Sequence, residues 1–73
     1  MQIYKNVGGG SNIRAYSLGE NYIDVQFNGG AVYRYSYASA GKEKVEKMKN
    51  LAIQGVGLNS FIMRYARKDY ERK

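Results

Sequence analysis

Residues 22–37 constrain this chain more than any other stretch. From Tyr22 to Phe27 polar and apolar side chains alternate, with Ile23, Val25 and Phe27 on one side and Tyr22, Asp24 and Gln26 on the other. Alternation with a period of two marks a strand buried on one face. Asn28, Gly29 and Gly30 follow, residues that tolerate the positive φ of a tight hairpin turn. A second run, Ala31 to Tyr37, is rich in aromatics. The spacing predicts an antiparallel β-hairpin.

Parity sets its register. A three-residue loop over 28–30, closed by a glycine bulge, pairs Phe27 with Ala31, Val25 with Tyr33 and Ile23 with Tyr35. Tyr33 and Tyr35 then share the apolar face, while Arg34 and Ser36 point to solvent. A two-residue loop would turn Arg34 inward, and burying an unpaired guanidinium is costly. The three-residue loop is therefore expected, with the two tyrosines in the core.

A strand over 12–17 precedes the hairpin, with Ile13 and Ala15 inward and Asn12, Arg14 and Tyr16 outward. Ser17 to Asn21 supplies a turn. Met1 to Val7 reads as a short strand or an extended arm, and Gly8, Gly9 and Gly10 as a connector. That glycine run is not a phosphate loop, because no Gly-Lys-Ser/Thr follows it and no helix opens there. A three-stranded sheet this small needs cover on one face. Val45, Met48, Leu51 and Ala52 lie at helical spacing and predict a helix over 41–53 with Ser39 as its N-cap. Gly55 and Gly57 end it. A last helix over 60–70, capped by Asn59 or Ser60, would use Phe61, Ile62, Tyr65, Ala66 and Tyr70 as its apolar stripe. The expected fold is α+β: a three-stranded antiparallel β-meander with two C-terminal helices packed on one face. Its organisation is an arm and glycine connector over 1–10, a single domain over 11–70 and a tail over 71–73.

Composition excludes several classes of function. A chain of 73 residues buries only ~60% of its unfolded surface, so its stability margin is small. Cysteine and histidine are absent, which removes disulfides and the usual zinc sites. No apolar run approaches the ~18 residues of a membrane-spanning helix, and the N-terminus does not read as a signal peptide. A cytoplasmic protein without cofactor, metal or membrane association is expected. Catalysis needs an activated nucleophile or a tuned acid–base pair. Ser11, Ser60, the lysines and scattered carboxylates offer neither, since Glu20 and Asp24 near one turn face no second pair. A non-catalytic role is expected.

Charge points to binding. The net charge is +6. Residues 1–38 carry Lys5, Arg14 and Arg34 against Glu20 and Asp24, a net of +1, so residues 39–73 carry the remaining +5. A basic half suits a polyanionic partner, although charge of this size also serves solubility. Eight tyrosines add surfaces on which unpaired bases stack.

Several residues together resemble the KTSC domain, a short bacterial module named for its place at the C-terminus of some lysyl-tRNA synthetases and also found alone. The resemblance rests on Val7, then Ser11, Asn12 and Ile13 with Ala15, then Val25 and Phe27 before a glycine turn. It continues through Tyr33-x-Tyr35 and through Gly55, Asn59 and Ile62, covering residues 7–66. Two positions depart from it. Ser36, Tyr37 and Ala38 stand where a proline is usual, and Ile53 stands where a small residue is usual. The resemblance implies a link to tRNA or another RNA; the family has no settled activity.

RNA, tRNA-like or single-stranded, is therefore the expected partner. The candidate contacts are Arg14, Tyr16, Tyr22 and Arg34 on the outer sheet face, with Arg64, Arg67 and Lys68 on the last helix. The alternative is a protein-interaction module: a homodimer, an adaptor or an inhibitor of a larger protein, including one made by a mobile element. Tyrosine and arginine are enriched at protein interfaces, and an open edge over 11–17 or 31–37 could pair with another chain.

Overall fold

The hairpin forms in the register that parity requires. In the computed structural model, which describes residues 1–71, strand β3 (Tyr22–Phe27) pairs with β4 (Val32–Ser36). Ile23 faces Tyr35, Asp24 faces Arg34 and Val25 faces Tyr33. The Phe27 N–H donates to the Ala31 carbonyl and the Gly30 N–H to the Phe27 carbonyl, both at 2.9 Å, closing the loop over 28–30.

The sheet has four strands rather than three. Strand β2 (Ile13–Leu18) pairs with β3, and β1 (Gln2–Ile3) pairs with β2, all antiparallel in the order β1-β2-β3-β4. Two residues are too few to show a periodicity, so the segment's sequence suits an arm as well as a strand. Long-range contacts decide between them. The Tyr4 N–H donates to the Arg14 carbonyl at 3.0 Å, and the Tyr16 hydroxyl donates to Gln2 Oε1 at 3.0 Å. Strand β1 thereby covers part of the edge expected to lie open over 11–17.

Strand β2 corrects a second expectation. Ile13 pairs with Phe27, but Ala15 pairs with Gln26 and Tyr16 with Val25, so a β-bulge lies between Ile13 and Ala15. One extra residue reverses the parity of everything after it. Tyr16 therefore turns inward beside Val25 and is only 5% exposed. Arg14 remains exposed at the bulge.

One face of the sheet is covered by helices. Helix α1 (Tyr37–Ala40) is a single turn after β4, α2 spans Lys42–Gln54 and α3 spans Leu58–Phe61. The chain continues with π-helical hydrogen bonding over Ile62–Ala66, so the last helical stretch ends before residue 70. Val45, Met48 and Ala52 of α2 meet Ile23, Val25 and Tyr35 in the core, joined by Leu58, Ile62 and Ala66. Tyr65, expected in that stripe, is 54% exposed. The wider π turn shifts the phase of the apolar positions.

The caps also differ from expectation. Ser39 does not cap α2. It closes a capping box with Ser36 at the start of α1, its N–H donating to Ser36 Oγ and its hydroxyl accepting from the Ser36 N–H. Helix α2 opens on Gly41 and α3 on Gly57, both without a side-chain cap from the residue at the cap position. The Leu58 N–H instead donates to the buried Tyr4 hydroxyl at 3.4 Å. Neither Asn59 nor Ser60 caps this helix. Arg72 and Lys73, assigned to a tail, lie outside the described residues. Glu71, assigned with them, donates its N–H to the Arg34 carbonyl at 2.7 Å.

Gly55 ties the two halves of the chain together. It ends α2 at φ 77° and ψ 25°, a left-handed conformation, and its carbonyl accepts from the Val7 N–H at 2.7 Å. A Cβ there would stand 2.5 Å from the Lys5 Cβ. Gly55→Ala is expected to destabilise the fold by about 1–3 kcal/mol through backbone strain alone, with the clash adding to it. Urea denaturation checks this as a lower midpoint with an unchanged slope; an unchanged midpoint contradicts it.

Candidate nucleic-acid interface

On the outer sheet face, cross-strand pairing decides what each charge can do. Arg34 stands opposite Asp24, with Nε 2.8 Å from Oδ1 and Nη2 3.0 Å from Oδ2. Its guanidinium carbon lies 3.8 Å from the centre of the Tyr22 ring. The two-pronged hydrogen bond to Asp24, with the negative charge behind it, raises the Arg34 pKa further above its ordinary value. Arg34 and Tyr22 are thus brought together, but Arg34 is already held by Asp24 and lies over the Tyr22 ring. Tyr16 is buried on the opposite face, and Arg14 stands apart at the bulge. The four residues expected on this face do not assemble into one surface.

A different set converges on the other side. Phe27 and Tyr33 sit near the loop end of the hairpin, with ring centres 5.7 Å apart and edge to face. Tyr70, beyond the last helical turn, folds back onto them. Its ring centre is 4.8 Å from that of Tyr33 and 6.3 Å from that of Tyr35. Two contacts fix this return: the Glu71 N–H to the Arg34 carbonyl, and Asp69 Oδ2 at 2.7 Å from Lys44 Nζ. Together with Asn12, Met63 and Arg67, the four rings line a groove of about 350 Å³.

Of the expected residues, Arg67 lines this groove, and Arg64 and Lys68 are exposed on the same C-terminal stretch. None of the three forms an ion pair among the described residues, where the cations that do are Arg34, Lys44 and Lys49. The arrangement sets unneutralised positive charge beside aromatic surface. A smaller cleft of about 160 Å³ lies between the glycine connector and the start of α3, lined by Tyr4, Asn6, Ser11, Asn59 and Ser60 among others. It has no charged side chain in its lining and so offers less to a polyanion.

Sequence reasoning assigned Tyr33 and Tyr35 to the core and did not place Tyr70, Phe27, Asn12 or Met63 in a site. Tyr35 is indeed core, 2% exposed, while Tyr33 is only partly buried. The available signal was the tyrosine count itself, since a core this small cannot enclose eight phenol rings.

Among the described residues no helix is long and apolar enough to cross a membrane, and no group of three or more acidic, histidine or cysteine side chains could hold a metal ion. No family model, curated protein or solved structure matches the chain.

Burial pushes the Tyr35 phenol up to about 12 from an ordinary value of 10, with the neighbouring Tyr33 and Tyr70 adding to it. A phenol that resists ionisation in the folded state holds its proton where the unfolded chain has released it. Stability is therefore flat with respect to this group below about pH 10 and falls as pH rises towards 12. Urea melts between pH 9 and about 12 should show that fall, and Tyr35→Phe should flatten it; an equally steep fall in the variant would contradict the assignment.

Proposed function

We propose that this chain is a small non-catalytic module that binds RNA through the C-terminal basic group and the aromatic groove beside it. The observation that carries the reading is the position of Arg67. It stands at the aromatic groove with exposed Arg64 and Lys68 nearby, all three without a carboxylate partner among the described residues. Unpaired guanidinium and ammonium groups release counterions when they meet phosphates, and that release drives affinity. Arg34 contributes less, because Asp24 already neutralises it. The resemblance to the KTSC domain points the same way, through that domain's attachment to synthetases. Arg14 and Tyr22 remain peripheral contacts in this reading, and Tyr16 acts only through the core.

A second reading is a protein-interaction module. Val7 and Val56 line the smaller cleft beside the glycine connector and are 60% and 46% exposed, and Ile53 is 52% exposed. Apolar side chains of this kind suit a second copy of the chain or a larger protein.

Mobility shift with unfractionated tRNA and total RNA, at low and near-physiological salt, separates the two. The RNA reading expects binding that persists at near-physiological salt. Arg67→Ala or Arg64→Ala should weaken it and lower the salt slope by about one each, and Arg34→Ala should change it less. Loss of all binding above low salt, together with a dimer on sizing, would favour the protein reading instead.

A further inference from the structure

The groove beside Arg67 is lined mainly by aromatic rings. Its walls are the rings of Phe27, Tyr33, Tyr35 and Tyr70, and its polar groups are Asn12 and Arg67. Tyr70 is backed by Tyr33 and Tyr35 yet remains 39% exposed, so its ring is both braced and reachable. Aromatic walls alone would equally suit a quaternary ammonium group. Arg67 removes that option, because a guanidinium in the lining repels a cation. A neutral, planar group attached to an anion suits both the aromatic lining and the guanidinium.

We infer that the groove receives one unpaired base of a single-stranded RNA, stacked against Tyr70, with Arg67 on an adjoining phosphate. This inference rests on the RNA reading above. The volume, about 350 Å³, falls at the small end of ligand sites and suits one base rather than a stacked run. The Asn12 amide offers a donor and an acceptor to the edge of that base. Arg67 and Lys68, both exposed, meet the backbone where it leaves the groove. A base held in a duplex cannot enter, because its faces are already stacked. The module therefore distinguishes single strands and loops from paired RNA.

Fluorescence anisotropy tests this with a labelled single-stranded oligoribonucleotide and with the same strand in a duplex, on wild type, Tyr70→Ala, Tyr70→Phe and Arg67→Ala. The expected result is single-strand binding weakened roughly tenfold by Tyr70→Ala, the scale of one lost stack, and retained by Tyr70→Phe. Arg67→Ala should weaken both forms, and Tyr70→Ala should leave the duplex unchanged. Equal loss of single strand and duplex in Tyr70→Ala, or no loss in either, overturns the base pocket while leaving RNA binding in place. Absence of binding to either form by the wild type overturns the RNA reading itself. A free mononucleotide that binds as tightly as the oligonucleotide, with the same dependence on Tyr70, overturns RNA as the occupant.

Discussion

The pairing of Val25 with Tyr33 and of Ile23 with Tyr35 underlies the rest of this structure. That register turns two tyrosines toward the helices and turns Arg34 toward Asp24. A slip by one residue would bury the guanidinium and expose the apolar row, so no intermediate arrangement exists. Helix α2 can pack only because the inner face is continuous, with Ile23, Val25 and Val45 fully buried together. The position of the aromatic groove follows from the same choice, since Tyr33 lies between the enclosed Tyr35 and the half-open loop end of the hairpin.

Charge is distributed unequally over the two sides of the sheet, and pairing rather than count decides its use. Arg34 is held by two hydrogen bonds to Asp24, with a ring beneath it. Such an arginine braces two strands and has little charge left for a partner. Arg64, Arg67 and Lys68 are ordinary by comparison and available for that reason. A half-exposed ion pair such as Lys44 with Asp69 adds only about 1 kcal/mol to stability. Its position matters more, because it helps return Tyr70 to the sheet.

Much of the fold was legible in the sequence where the pattern was local. The hairpin loop, the inward tyrosines and the apolar stripe of α2 follow from spacing within a few residues. The bulge in β2 was not legible, because Asn12 to Tyr16 reads equally well with or without an extra residue. Only pairing with Phe27 at one end and Val25 at the other requires it. The caps failed for a related reason. Ser39 and Asn59 have the right chemistry, but Ser36 closes the earlier turn, and the Tyr4 hydroxyl reaches Leu58 from the other end of the chain.

The candidate site divides along the same line. By itself the sequence determined a basic second half, an excess of tyrosine, the absence of histidine and cysteine, and the facing of Tyr33 and Tyr35, because composition and period-two alternation need no distant partner. The tertiary structure alone decided that Tyr16 is core and that Tyr70 folds back to complete a groove with Arg67, whereas the pairing of Arg34 with Asp24 follows from the hairpin register. Those two outcomes depend on contacts between separate elements rather than on the pattern within one. A side chain's charge and exposure are set by the neighbour it meets, and the sequence pattern specifies that neighbour only within a strand or a turn of helix.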